Sequence, residues 1–216
     1  MSYALPSLAK QKREMVRQTL ELLGERQRFD GYVEIGTTGR YLSQLRKALK
    51  LTGDVVLIND VAPGNSPVDI VERGGLGKVG RFVPLNDYAP IATEAIASSS
   101  VELVSCYIGL HHIAPEKLTA FMQSIHRILK PGGVFILRDH DVTDAQMFAF
   151  VSLAHTVFNA GLGAPWETNA AELRHFVSIE EWVTRLAAVG LRQVGPHLLQ
   201  AHDPSINVLM AFTREQ

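Results

Sequence analysis

Five short apolar runs separated by helix-spaced segments, and then two runs joined by only five residues, predict an α/β protein. The expected architecture is a doubly wound, mostly parallel seven-stranded sheet with a C-terminal antiparallel hairpin. Parallel neighbours need helical crossovers, whereas the link AHDPS between LRQVGPHLLQ and INVLMAFTR is too short for anything but a hairpin. With 216 residues and 46% hydrophobic content, the chain is read as one domain, 1–216.

The first 30 residues carry an N-terminal helix, with Ser7 as its cap, Leu8, Met15, Val16, Leu20 and Leu23 at helical spacing and Gly24 as the stop. Strand one is expected at 31–35. The leucines Leu42, Leu45 and Leu49 define a second helix ended by Gly53, and DVVLIND is a strand buried on both faces. Ser66 as cap, Pro67 at the first helical position and Gly74 beyond the end bound a third helix. Strand three at 81–85, a helix around 90–98 and the fourth strand VELVSCYI follow. PEKLTAFMQSIHRILKPGG is a helix with Leu118, Phe121, Met122, Ile125 and Leu129 inward, and VFILR is strand five. SIEE, with Ser178 and Glu181 as a capping box, starts the last helix, which Gly190 stops. The apolar segment 143–177 exceeds what a crossover needs, and is read as a helix and ordered loop that can cover a ligand.

The formal net charge of −1 and the lack of a Lys/Arg stripe disfavour a nucleic-acid partner. Cys106 is the lone cysteine, which rules out an internal disulfide and fits a reducing compartment. The early charges in MSYALPSLAKQKREM argue against a signal peptide, and no apolar run suits a bilayer span, so the expected location is cytoplasmic, away from membranes. The oligomeric state is left open.

Strand one runs into the turn VEIGTTGRY, where Gly36 and Gly39 let the backbone bend sharply and approach a ligand. This turn offers only G-x-x-G, with Thr38 where the G-x-G-x-x-G pattern needs a glycine, and no Gly-Lys-Ser/Thr follows it, so a pyrophosphate-bearing ligand loses ground to a nucleoside. Glu34 lies just before the first glycine and Asp60 ends strand two, and strand-end carboxylates suit ribose hydroxyls.

These residues, with GLHH and LKPGG further on, resemble the class I S-adenosylmethionine-dependent methyltransferases. The resemblance implies a methyltransferase-like Rossmann fold and S-adenosylmethionine as cofactor. It implies that VEIGTTGRY, with Glu34, Gly36, Thr37 and Gly39, is the methionine-side loop and Asp60 the ribose ligand. PLNDY, with Asn86 and Asp87, becomes the adenine neighbourhood, and CYIGLHH, with Tyr107, lines the site from strand four. The family's loop commonly has glycine where Thr38 and Arg40 stand here.

The expected reaction is methyl transfer to a small-molecule acceptor, because no basic groove or appended recognition domain is seen. His111, His140 and Asp141 are the candidate catalytic residues, since imidazole at a strand end serves as a base or an anchor. Strand alternation sends Arg138 and His140 to one side and Asp139 and Asp141 to the other. His155 reads as a packed helix residue, and Trp166, Glu167, Asn169, Glu172 and Arg174 as a polar-aromatic cluster in a loop. A metal reading exists for His111, His112, His140 and Asp141 should they converge at neighbouring strand ends, but no HxxxH-type spacing occurs, so no metal site is expected. Against these readings stand plainer ones: Glu34 or Asp60 as helix caps, Asn86 and Asp87 as turn formers, and His112 in the core. The alternative functions are an inactive methyltransferase-like binding or scaffold module, which Thr38 and Arg40 favour, and a nicotinamide oxidoreductase, which the missing fingerprint opposes.

Overall fold

A computed structural model describes residues 4–75, 79–161, 163–201 and 203–215, the side chains of residues 4–9 and of residues 68, 71 and 72 excepted. The elements are α1 (Ala4–Leu23), β1 (Arg28–Ile35), α2 (Leu42–Ala48), β2 (Lys50–Asn59), α3 (Pro67–Arg73), β3 (Arg81–Pro84), β4 (Val101–Cys106), α4 (Pro115–Ile128), β5 (Leu129–His140), α5 (Ala145–Gly161), α6 (Trp166–Ala171), α7 (Ile179–Ala187), β6 (Leu191–Leu199) and β7 (Asn207–Arg214). One seven-stranded sheet has the order β3-β2-β1-β4-β5-β7-β6. β1 through β5 pair in parallel, and β7 runs antiparallel to both β5 and β6. Order reverses between β1 and β4, which places the ligand-binding crevice of such a sheet at their carboxyl ends.

Two apolar layers flank the sheet. One gathers Val33, Ile35, Val104, Phe121, Ile125, Phe135 and Trp182; the other gathers Met15, Phe29, Tyr32, Leu42, Leu45 and Tyr107. β1 and β4 are buried almost throughout, as a central strand covered on both faces must be. Among the described residues, no helix is long and apolar enough to cross a membrane.

Several boundaries differ from the sequence expectations. α1 begins at Ala4, so Ser7 lies inside the helix, and the side chains of Ser7 and Leu8 fall outside the described residues. β2 starts at Lys50 because α2 ends at Ala48, before Gly53 is reached. His202 of the hairpin link is likewise outside the described residues. The helix expected around 90–98 is a single turn closed by Ile96 N–H to Ala92 O. The carbonyls of Ile91 and Ile96 accept from Arg127, and that of Ala95 accepts from Arg81, so guanidinium donors take the place of a helical ladder. α3 keeps the expected Ser66 cap, which with Asp69 forms a capping box that the sequence reading did not include, and Gly74 at φ 77 closes the helix. In α7 only half of the expected box forms: Ser178 accepts from Glu181 N–H, while the Glu181 carboxylate pairs with Arg185. The segment 143–177 holds two helices, and Trp166, Glu167 and Asn169 sit on α6 and not in a loop. Asp144 caps α5 through Met147 N–H, and His175 N–H binds His111 O, pinning the cover to the end of β4.

Candidate active site

The turn after β1 is held by its own residues. Gly36 has φ 80, and a Cβ there would collide with the side chain of Ile108 from the end of β4. Glu34 is 0% exposed, and its carboxylate accepts from Tyr32 Oη at 2.9 Å, from Thr37 Oγ1 and from Tyr41 N–H at 3.4 Å. Burial pushes its pKa up despite these donors. Thr37 Oγ1 in turn accepts from the N–H groups of Gly39 and Arg40, each at 3.2 Å. Glu34 therefore braces the loop and the start of α2, and Thr37 is the brace's other end. Asp60, by contrast, is exposed at the end of β2.

Asn86 and Asp87 follow β3 in a left-handed turn with φ 50 and 51, and Asp87 pairs with Lys117. Asn86 lines a small cavity of about 140 Å³ together with Ile58, Val83, Leu85, Ile91 and Phe121. Its mostly apolar walls and small volume suit a planar ring.

The main cavity, about 340 Å³, lies against the ends of β4 and β5. Arg40 and Tyr41 reach it from the glycine turn; Tyr107, Ile108, His111 and His112 from β4; Arg138 and His140 from β5; His155 from α5; and Glu172 from the segment after α6. Tyr107 presents its ring, tilted by 47° and 4.3 Å from that of Tyr41 between centres, while its hydroxyl bonds Thr19 at 3.0 Å. Arg138 is anchored by Gln200 at 3.1 Å and Asp203 at 3.7 Å.

Gly109, at φ 88, lets His111 fold back over the turn, since a Cβ there would collide with the imidazole. His111 Nδ1 lies 2.7 Å from Asp139 Oδ1. The Asp139 carboxylate also accepts from Leu110 N–H at 2.7 Å and His140 N–H at 2.8 Å. Burial raises Asp139 to about 6 and pushes His111 well below the usual imidazole range. A neutral imidazole donating its Nδ1 proton to the carboxylate satisfies both shifts, and it leaves Nε2 as a bare lone pair. That Nε2 is buried and has no hydrogen-bond partner. His140 is pushed down to about 4 by burial and by His111, and its Nδ1 lies 2.8 Å from Ser205 O. A carbonyl only accepts, so Nδ1 carries the proton here too.

Of the expected catalytic residues, His111 and His140 meet at one cavity. Asp141 does not line it: its Oδ1 accepts from Ile179 N–H at 3.0 Å, at the start of α7. The alternation expected along β5 holds, with Arg138 and His140 facing the cavity and Asp139 behind His111. His155, read from the sequence as helix packing, reaches the same cavity, with Nε2 3.2 Å from His140 Nε2. Its signal is faint: one imidazole in a mostly apolar helix.

A family model described as a methyltransferase domain matches residues 8–194. The chain belongs to the class I S-adenosylmethionine-dependent methyltransferases. A stretch of 66 residues is 33% identical to an uncharacterized methyltransferase of Synechocystis sp. (strain PCC 6803), a match that covers 30% of this chain and only 31% of that protein. Among solved structures, the fold is similar to that of Burkholderia thailandensis 1,6-didemethyltoxoflavin-N1-methyltransferase with bound 1,6-didemethyltoxoflavin and S-adenosylhomocysteine, with TM-score 0.62, 15% identity and coverage of 95% of this chain and 78% of that one. It is also similar to the N-methyltransferase NodS of Bradyrhizobium japonicum in complex with S-adenosylhomocysteine, with TM-score 0.60, 15% identity and coverage of 94% and 87%.

The cofactor this family implies is S-adenosylmethionine, and the residues present fit it. A carboxylate-bearing end has cations at Arg40 and Arg138, a ribose has the exposed Asp60, and an adenine has the slot beside Asn86. The glycine turn is held by the chain's own hydrogen bonds through Glu34 and Thr37.

Proposed function

We propose that this methyltransferase-family chain transfers the methyl group of S-adenosylmethionine to a small molecule held beside His111 and His140. The observation that carries the reading is the shared cavity: Arg40 and Tyr41 of the glycine turn and the strand-end histidines line one space of about 340 Å³. That size lies at the lower end of the usual range for small-ligand sites, about 300–1,000 Å³. S-adenosylmethionine supplies, when bound, a methyl group already activated on a positively charged sulfur. The chain's share is then to orient the acceptor, exclude water and accept a proton where the acceptor carries one.

His111 suits the last task, because Asp139 holds its ring with the Nε2 lone pair free. Phe176, 4.8 Å from His111 and 5.0 Å from His155 between ring centres, covers the cluster with an apolar face. A neutral charge balance and a buried lone thiol support a cytoplasmic enzyme whose partner is a small molecule, with no nucleic acid or membrane involved.

The test is a thermal-shift and calorimetric titration with S-adenosylhomocysteine, with reduced nicotinamide dinucleotide as control. Selective stabilisation by the first is expected, since a ligand that binds only the folded state raises its melting temperature. No shift at millimolar concentration with folded protein would refute the reading. Binding without turnover on any acceptor would favour the binding-module alternative that Thr38 and Arg40 raise.

A further inference from the structure

We infer that His111, His140 and His155 form a three-imidazole site for a divalent transition-metal ion, zinc foremost, with an open coordination position facing the cavity. The ligand atoms of the three residues all lie within 4.8 Å of one another. Their ring centres form a nearly equilateral triangle with sides of 5.1, 5.3 and 5.4 Å. Imidazole binds zinc at about 2.0–2.1 Å, so two ligand nitrogens of a tetrahedral site stand about 3.3 Å apart and their ring centres about 5 Å apart. His140 Nε2 and His155 Nε2 are 3.2 Å apart.

The outer partners point the same way. A metal-bound imidazole characteristically donates its other ring N–H to a carboxylate or a backbone carbonyl, which fixes the tautomer and aims the lone pair. Here two of the rings have such a partner, and the third faces a carboxylate. His111 Nδ1 meets Asp139 at 2.7 Å, His140 Nδ1 meets Ser205 O at 2.8 Å, and His155 Nδ1 lies 3.6 Å from Glu172 Oε1. His111 Nε2, nearly inaccessible, has no partner at all. His140 Nε2 and His155 Nε2 share a hydrogen bond; with Nδ1 of His140 protonated, His155 donates it, and a cation between the two nitrogens would take that proton's place.

A second grouping, His112 with His155 and Glu172, also has suitable spacing. In that set the Glu172 carboxylate is already paired with Arg174, whose guanidinium lies 2.9 Å from it and opposes a second cation there. The first set is therefore the assigned one. Three nitrogens with one position open is the pattern of a catalytic zinc site, and the open position would take an oxygen, nitrogen or sulfur atom of whatever occupies the cavity; with His111 Nε2 ligating, the ion, in place of that imidazole, would activate the acceptor.

The experiment uses the full, untagged chain, stripped with a chelator and titrated with cobalt(II) alone, then with zinc(II). One equivalent of cobalt should produce the visible d–d absorption of a four- or five-coordinate ion, and zinc should abolish it. His140→Ala and His155→Ala should each weaken binding by about 100-fold or more, and Glu172→Gln by about 10-fold, as loss of an outer partner does. His112→Ala should bind as the parent does. Stabilisation by S-adenosylhomocysteine, measured on the same samples, reports folding and the cofactor site separately. A chain that responds to S-adenosylhomocysteine but shows no band at tenfold excess cobalt overturns the metal site and leaves the methyl-transfer reading standing. Unchanged binding in His155→Ala, or its loss in His112→Ala, overturns the assigned ligand set.

Discussion

At the end of β1, Glu34 lies wholly inside the protein and every group around it, Tyr32, Thr37 and Tyr41, donates to it. At the end of β4, His111 lies almost as deep, with one nitrogen held by Asp139 and the other meeting nothing. An unsatisfied buried polar group costs about 1–3 kcal/mol, and native proteins hold few of them. The contrast separates the two kinds of polar residue in this crevice. Glu34 and Thr37 build a platform that is complete before anything binds, while the histidine side is left incomplete in the direction of the cavity. Chemistry is therefore expected on the histidine side and support on the glycine side.

The largest effect should come from His111→Gln. If the β4 end carries the chemistry, this change lowers kcat by about 100-fold or more, the order that proton-transfer help contributes, while calorimetry gives an unchanged Kd for S-adenosylhomocysteine. A loss confined to cofactor affinity would break the contrast, because it would put His111 on the platform side.

How far each side was legible follows from how it is built. The strands, the hairpin and the caps of α3 rest on residues close in sequence, and their spacing reveals them. The turn with Glu34, Thr37 and Gly36 is equally local. His111, His140 and His155 come from β4, β5 and α5, and nothing in their linear spacing signals that they meet. They do so because β4 pairs with β5 and because the segment after α6 is tied back to His111 O through His175 N–H. The helix expected around 90–98 fails for a related reason: Arg81 and Arg127, distant in sequence, take its carbonyls. Glu34 shows a further limit, since a strand-end acid has the same sequence signature whether it faces a ligand or its own loop.

Asp60 sharpens the contrast from the cofactor side. It stands next to the platform but is exposed, so it is free to meet a ligand in a way that Glu34 is not. Asp60→Ala should weaken S-adenosylhomocysteine binding by about 1.5–3 kcal/mol, the usual worth of hydrogen bonds to a charged group. The urea midpoint should stay where it is, because an exposed side chain contributes little to the fold. A shifted midpoint with unchanged affinity would make Asp60 part of the scaffold.

The smallest effect is expected at Asp141, which the sequence groups with His140 and the structure assigns to a different task. Its carboxylate accepts the Ile179 N–H, one of the first-turn donors of α7 that no helical carbonyl can reach. It also places a negative charge at the positive end of that helix. Removing such a cap costs about 0.5–2 kcal/mol, so Asp141→Ala should lower the urea midpoint by a matching amount. Turnover per folded molecule should hold, since the side chain does not line the cavity where His111 and His140 meet. If turnover falls as far as in His111→Gln while the midpoint is unchanged, Asp141 acts on the acceptor, and the boundary between support and chemistry runs through β5 itself.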